Sequence, residues 1–114
     1  TSTAITITSD GRGLSQFTAK AWVNFNGTGT VAIRDSHNVS SISDNGTGNY
    51  GVNFSNNLGN TNYSVVLGLD FLSWDSQSGL SQSNNAGNCN IYTWRSAAQS
   101  FEDQRRIDAV IFGD

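Results

Sequence analysis

The sequence predicts an all-β protein, an antiparallel β-sandwich of about eight short strands. Three observations carry this prediction. Amphipathic helix periodicity is nearly absent, short runs of Val, Ile, Thr and aromatic residues alternate with polar residues, and clusters of Asn, Asp, Gly and Ser separate those runs. A chain of 114 residues with 36% apolar residues can form one hydrophobic core. We therefore expect a single domain that spans residues 1–114.

The predicted strands follow one another along the whole chain, and tight turns separate several of them. Their ranges are 4–8, 20–26, 30–35, 38–44, 49–55, 62–70, 90–95 and 106–112. The tetrapeptide NGTG occurs twice, at 26–29 and at 45–48, each time between two of these strands. Asn and Gly tolerate positive φ, so Asn-Gly between alternating runs is a strong hairpin signal. Each copy therefore predicts a hairpin.

The spacing of apolar residues predicts which face each strand buries, because side chains alternate with a period of two. One-sided strands are predicted at 20–26, 30–35 and 49–55. Their buried faces consist of Ala21, Val23 and Phe25, then Val31 and Ile33, then Tyr50, Val52 and Phe54. The opposite faces carry polar residues such as Asn24 and Asn53, which belong in water.

Two segments, residues 63–72 and 106–112, differ because they are apolar on both faces. A sandwich buries only one face of each sheet, so a second apolar face needs additional cover. We expect another copy of the chain to provide it. The predicted subunit interface consists of Val66, Leu72, Val110 and Phe112. The alternative is that a loop of the same chain, residues 73–88, covers this second face.

Residues 73–88, SWDSQSGLSQSNNAGN, form the longest polar stretch and are predicted to be a loop. Long loops in compact domains often carry function, and an exposed Trp can stack on a sugar ring or anchor a protein contact. The candidate ligand-binding residues are Trp74, Asp75, Asn84 and Asn85. Alternatively, Trp74 packs over the sandwich edge. Residues 96–105, SAAQSFEDQR, are expected to form either one or two helical turns or a loop.

Composition argues against two classes of partner. A net charge of −3 with only six Lys and Arg residues offers no electrostatic footprint for nucleic acid. The longest apolar run, residues 64–72, is interrupted by Gly68 and Asp70 and is too short to cross a bilayer, so no membrane insertion is expected. Only 13% of residues are charged, while Ser, Thr, Asn and Gly make up nearly half of the chain. Such a surface suits contact with sugars or with other proteins.

The chain offers little material for catalysis, and we expect neither a cofactor nor enzymatic activity. His37 is the single histidine, so a triad or metal cluster based on histidine would depend on it alone. It follows Asp35-Ser36 in what resembles a corner between strands, where we expect a solvent-facing residue. Cys89 is the single cysteine and is expected to be a small buried residue. Most acidic residues fall at strand ends and turns, where Asp is common.

The stretch KAWVNFNGTGTVAIRDSHNVSSISDNGTGNYGVNFS, residues 20–55, together with the terminal IFGD, resembles a module of bacteriophage virion proteins. These are mostly tail-fibre-type and related structural proteins of marine and cyanobacterial phages. The matching motifs cover roughly half of the chain. Members of the family typically carry Phe or Tyr where His37 stands, and residues 73–105 do not share the resemblance.

The resemblance implies a C-terminal, fibre-tip β-domain of a longer virion protein. Such a module is expected on the tail fibre or another exposed virion surface, as a homotrimer that mediates attachment to the host. Its expected partners are other copies of itself, other virion proteins, and a host cell-surface glycan or protein. The alternative is a structural virion component, a capsid decoration or fibre cap, that binds other virion proteins. A polysaccharide hydrolase is the third and least supported interpretation, because it needs two convergent carboxyl groups.

Overall fold

The computed structural model of the protein describes residues 18–70 and 77–113. This part of the chain contains nine strands and no helix. The strands are β1 (Ala21–Asn26), β2 (Ala32–His37), β3 (Val39–Gly46), β4 (Asn49–Phe54), β5 (Ser64–Leu69), β6 (Gln77–Asn85), β7 (Asn88–Arg95), β8 (Ser100–Phe101) and β9 (Ile107–Phe112). The all-β prediction is therefore confirmed. The predicted strand at residues 4–8 lies outside the described residues.

The strands form two sheets in which all paired neighbours are antiparallel. Sheet A has the order β2-β1-β9-β5. Sheet B has the order β3-β4-β7-β6, and the short strand β8 also pairs with β7. The chain passes from sheet A to sheet B between β2 and β3, where the single residue Asn38 has a φ of 55°. The described residues contain no helix long and apolar enough to cross a membrane.

The inner faces of the two sheets pack on each other and form the hydrophobic core. Phe25 of sheet A meets Tyr50 of sheet B edge to face, with ring centroids 5.3 Å apart. The core consists of Ala21, Val23, Phe25, Val39, Tyr50, Val52, Phe54, Leu58, Tyr63, Cys89, Ile91, Ile107, Ala109 and Ile111. Strands β1 and β9 alternate strictly between buried and more exposed residues. The buried faces predicted for residues 20–26 and 49–55 are confirmed. Of the two apolar faces predicted for residues 106–112, the chain itself buries the face with Ile107, Ala109 and Ile111, while Phe112 on the other face is exposed.

Both NGTG segments connect antiparallel neighbours, as predicted, but they form different connections. The first copy begins at the end of β1 and belongs to a longer link, residues 27–31, before β2 starts. The second copy leaves only Thr47 and Gly48 between β3 and β4. Positive φ values of 59° at Gly29 and 62° at Gly48 explain why glycine is needed in both. The local NGTG sequence therefore predicts where the chain turns back, whereas the number of residues in each connection depends on the surrounding structure.

One prediction for the second half of the chain is wrong. Residues 77–85, predicted as part of a loop, form β6, which pairs with β7 along nearly its whole length. Ser, Gln and Asn give this strand no alternation of apolar and polar residues. Its pairing therefore depends on backbone hydrogen bonds to β7, in which buried and outward residues do alternate. Of the two alternatives for residues 96–105, helical turns or a loop, the structure excludes the helical turns and shows a non-helical connection that contains the short strand β8. The backbone N–H of Gln99 donates to the carbonyl of Ser96 (3.1 Å), which closes a turn before β8.

Candidate functional site

The sequence-predicted ligand-binding residues do not come together as one described site. Trp74 and Asp75 lie outside the described residues. Asn84 and Asn85 are the last two residues of β6, at the hairpin that leads into β7. The side-chain oxygen of Asn85 accepts hydrogen bonds from two backbone N–H groups of this turn, at 2.7 and 3.0 Å. The visible role of Asn85 is therefore to shape the hairpin.

A different group of residues stands out on the outer face of sheet B. Along β7, Cys89, Ile91 and Thr93 are fully buried, so the intervening residues Tyr92 and Trp94 point away from the core. Strand β8 places Phe101 directly opposite Trp94. On the other side of β7, β6 places Leu80 directly opposite Tyr92. We call Tyr92, Trp94 and Phe101 the aromatic cluster.

The rings of the aromatic cluster contact one another in specific orientations. Trp94 and Phe101 lie edge to face, with centroids 5.2 Å apart and an interplanar angle of 83°. Tyr92 and Phe101 lie 5.8 Å apart with an angle of 38°. Phe101 nevertheless remains 44% exposed, and the adjacent Leu80 is 54% exposed. The cluster thus presents apolar surface to solvent while its rings support one another.

Amide side chains flank the aromatic cluster and hold one of its rings. The Nδ2 atom of Asn90 donates a hydrogen bond to the Tyr92 hydroxyl (3.2 Å), and this hydroxyl donates to Oε1 of Gln82 (3.2 Å). Further along the same face, Nδ2 of Asn53 donates to the hydroxyls of Ser41 (3.1 Å) and Ser43 (2.9 Å). The face therefore combines an apolar end with an end rich in amide and hydroxyl groups.

No charged side chain occupies the outward positions of sheet B, taken over its described strands. Cross-strand registers assign these positions to Ser41, Ser43, Gly46, Asn49, Gly51, Asn53, Ser78, Leu80, Gln82, Asn85, Asn88, Asn90, Tyr92, Trp94 and Phe101. The charged residues next to the cluster, Arg95 and Glu102, form an ion pair with each other (3.4 Å). This face is electrically neutral.

Buried hydrogen bonds behind the sheet fix β8 beside β7. The backbone N–H of Glu102 donates to the carbonyl of Thr93 (3.0 Å), and the Thr93 hydroxyl donates back to the Glu102 carbonyl. Next along the chain, Asp103 accepts hydrogen bonds from the Tyr50 hydroxyl (2.9 Å) and the Gly48 backbone N–H (2.8 Å). Burial, with the neighbouring Asp103 carboxylate as the second cause, raises the pKa of Tyr50 above its ordinary value. Tyr50 therefore stays a neutral donor.

A second surface lies on the outer face of sheet A. Trp22, Val110 and Val66 are direct cross-strand neighbours on β1, β9 and β5, and Phe112 lies two residues beyond Val110. We call these four residues the apolar patch. Val66 is 58% exposed and Phe112 is 36% exposed. Of the predicted interface residues, Val66, Val110 and Phe112 share this surface, while Leu72 lies outside the described residues.

The described part of the predicted covering loop does not lie over this apolar patch. Residues 77–88 belong to sheet B and its β6–β7 hairpin. A Cβ built on Gly79 of β6 would approach Leu67 of β5 to 3.0 Å, so β6 packs on the inner side of sheet A. Residues 73–76 lie outside the described part of the chain.

The remaining candidates for chemistry are individually accounted for. His37 is exposed at the end of β2. Cys89 is fully buried, and burial raises the pKa of its thiol to about 11. The carboxylates of Asp70 and Asp108 pair with Arg105 and Arg106. Among the described residues, no three His, Cys, Asp or Glu side chains are grouped so that they could hold a metal ion.

Sequence reasoning missed the aromatic cluster, although part of its signal is present in the sequence. Asn90, Tyr92 and Trp94 alternate with buried residues of the predicted strand 90–95, which places them on the outward face. Phe101 could not be assigned to them because its pairing with β7 is a tertiary contact. No family model, curated protein or solved structure matches the chain significantly.

Proposed function

We propose that this domain is a non-enzymatic bacteriophage virion module of the fibre-tip type, which attaches the particle to the surface of its host cell. Two lines support the proposal. The motifs in residues 20–55 and at the C-terminus resemble tail-fibre-type modules. The observation that carries the binding role is the aromatic cluster, since exposed rings on a rigid sheet are typical anchors of recognition surfaces.

Contacts around the aromatic cluster distinguish this surface from an isolated exposed ring. The rings contact one another, Tyr92 is held by two amides, and β8 is tied to β7 by reciprocal hydrogen bonds between Thr93 and Glu102. A surface that is ordered before binding loses less conformational entropy when a ligand arrives. This favours recognition by the aromatic cluster over recognition by the β6–β7 hairpin at Asn85.

Binding of the fluorescently labelled domain to a panel of intact marine bacteria and cyanobacteria tests the attachment role. We expect saturable binding to at least one strain, and at least about a tenfold loss of affinity in Trp94→Ala. The control is Thr61→Ala in the exposed connection between β4 and β5, outside both the aromatic cluster and the apolar patch, with the folded state of both variants checked by circular dichroism. Trp74→Ala tests the ligand-binding role that the sequence predicts for Trp74. Absence of binding to every strain contradicts an attachment function.

The apolar patch on sheet A favours a second function. In this case the domain is a structural virion component that binds other virion proteins or further copies of itself. Water contact with Val66 and Phe112 is unfavourable, and self-association as a homotrimer would bury both. The patch lies on the face opposite to the aromatic cluster, so assembly and host attachment are compatible in one molecule.

Analytical ultracentrifugation over a range of micromolar concentrations tests self-association. We expect a trimer that dissociates in Val66→Lys, because a buried unpaired charge is costly at an interface. Thr47→Lys, which adds the same charge at the exposed β3–β4 turn, serves as the control and should leave the trimer intact. A monomer at all concentrations contradicts the homotrimer. Antibody labelling of virions then separates the two functions, since labelling of the head favours capsid decoration and labelling of the tail tip favours attachment.

A further inference from the structure

We propose that the outer face of sheet B binds a neutral, uncharged glycan, with one sugar ring stacked on the aromatic cluster and its hydroxyl groups bonded by neighbouring amides. This inference rests on the proposed attachment function and specifies the chemical class of its ligand. It assigns the site to the part of sheet B around the aromatic cluster and not to the β6–β7 hairpin at Asn85.

The shape of a sugar ring matches the apolar end of this face. A pyranose presents C–H groups on its flat faces and hydroxyl groups around its rim, so it can stack on an aromatic ring while its polar rim stays hydrogen-bonded. Trp94 and Phe101 together with Leu80 offer a surface of this kind, and Phe101 and Leu80 are the most exposed of its members. A polar ligand without an apolar face would leave this surface in contact with water.

The flanking amides supply the polar half of such a site. Gln82 and Asn90 are direct cross-strand neighbours, two residues along the strands from the Leu80 and Tyr92 pair and therefore on the same face. An amide offers both a donor and an acceptor, the combination that a hydroxyl group needs. These amides and the Tyr92 hydroxyl already form a chain of hydrogen bonds, so their positions are set before a ligand binds.

Charge decides between neutral and acidic glycans. An anionic sugar needs Arg or Lys to compensate for the water that its carboxylate or sulfate loses on binding. The outward positions of the described sheet B strands carry no such residue, and Arg95 beside the cluster is paired with Glu102. The face therefore favours hexoses and N-acetylhexosamines over uronic, sulfated or sialylated sugars.

The test is a titration of the 114-residue domain with a panel of oligosaccharides, followed by two-dimensional NMR. The neutral members are hexaoses of glucose, galactose, mannose and N-acetylglucosamine, and the acidic members are oligogalacturonate and a sialylated oligosaccharide. We expect saturable binding of a neutral member. The largest chemical-shift changes should fall on the Trp94 indole and on the side-chain amides of Gln82 and Asn90.

Three variants test the assigned contacts. Trp94→Ala should weaken the binding of that oligosaccharide at least about tenfold, and Trp94→Phe should recover part of the loss because an aromatic face returns. Trp22→Ala should bind like the unsubstituted domain. Because binding is measured per site with a soluble oligosaccharide, the result does not depend on self-association.

Several results overturn this inference, and they can be told apart from failure of the attachment function. Shift changes that map away from sheet B, or a preference for the acidic oligosaccharides, overturn the site or the ligand class. If the domain binds whole cells but none of the oligosaccharides, attachment stands and the neutral-glycan assignment is wrong. If it binds neither cells nor oligosaccharides, both proposals fail.

Discussion

At the scale of single residues, Asn38 shows how one side chain can join the two sheets. It is the only residue between β2 and β3, and its φ of 55° lies in the left-handed region that Asn tolerates better than most residues. Its Nδ2 donates to the carbonyls of Lys20 and Asn56, both at 3.1 Å, and its Oδ1 accepts the Asn56 backbone N–H at 2.8 Å. Asn therefore suits this corner in two ways, since it tolerates the left-handed backbone conformation and its side chain makes the hydrogen bonds.

Replacing Asn38 separates these two contributions. Asn38→Ala should lower the free energy of unfolding by about 3 kcal/mol, since it adds a left-handed backbone cost of about 1 kcal/mol to the lost hydrogen bonds. Asn38→Gly removes the same hydrogen bonds without the backbone cost, and should be about 1 kcal/mol more stable than Asn38→Ala. Urea unfolding followed by circular dichroism measures both. Equal stability of the two variants would show that the backbone conformation contributes nothing.

Cys89 makes the free energy of unfolding depend on pH. Burial raises its thiol pKa from 9.0 to about 11. The folded state therefore keeps a proton that the unfolded chain loses between these values. Stability is unaffected below about pH 9 and falls as the pH rises toward 11, by about 2 kcal/mol from this thiol. The raised pKa of Tyr50 acts in the same direction at higher pH.

Urea unfolding at pH 7 and at pH 11 tests the contribution of Cys89. Cys89→Ala should be less stable than the original chain at pH 7, because a buried group is lost, but should lose less stability between the two pH values. The folded thiol should also react slowly with a disulfide reagent at pH 8 and rapidly after unfolding in urea. The same pH dependence with and without the thiol would contradict this account.

At the scale of elements, the two NGTG turns show that one local sequence can meet different steric demands. Gly29 and Gly48 have almost the same φ, 59° and 62°. A Cβ on Gly48 would lie 2.6 Å from the Thr93 carbonyl and 2.9 Å from the Glu102 backbone nitrogen, whereas a Cβ on Gly29 would meet nothing within 4 Å. The second hairpin is therefore packed against β7 and the chain after β8.

Alanine substitution at these two glycines is a matched pair. Gly29→Ala should cost about 1 kcal/mol, which is the price of the left-handed backbone alone. Gly48→Ala should cost at least about 2 kcal/mol more, because backbone atoms must move and the nearby hydrogen bonds of β8 are strained. Thermal and urea unfolding measure the difference. Similar losses for the two variants would mean that the close approach at Gly48 is relieved without cost.

Strand β6 forms although its own sequence does not favour a strand. Its residues, QSGLSQSNN, contain one large apolar side chain, Leu80, and would not be expected to form a strand in isolation. It forms because β7, which is regular and half buried, offers a free edge along eight residues. The hydrophilic composition is suited to a sheet edge, where polar side chains limit pairing with other chains.

At the scale of the whole molecule, the sandwich separates two surfaces of different chemistry. The outer face of sheet B is neutral, with the aromatic cluster at one end and amides at the other. The outer face of sheet A has the apolar patch at one end. At the other end, Nδ2 of Asn24 donates a hydrogen bond to Asp108 (2.6 Å), and Arg106 forms an ion pair with Asp108 (3.3 Å). Because the packed core lies between the sheets, the two surfaces share no residues.

This separation predicts that changes on the two faces act independently. The effects of Val66→Lys and Trp94→Ala on the free energy of unfolding should add within about 0.5 kcal/mol in the double variant. Val66→Lys should change sedimentation but leave the affinity for a soluble oligosaccharide unchanged, and Trp94→Ala should do the reverse. Coupling above about 1 kcal/mol, or one variant altering both properties, would indicate that the faces communicate.

The sequence alone determined the all-β class, both hairpins and the buried faces of the regular strands, because turn conformation and side-chain alternation are properties of consecutive residues. Only the tertiary structure decided that β5 lies beside β9, which brings Val66 next to Val110, and that a polar segment becomes β6. It also decided that Phe101 meets Trp94 on the outside of sheet B. These contacts depend on which strands pair, and strand pairing is set by the packing of the whole core.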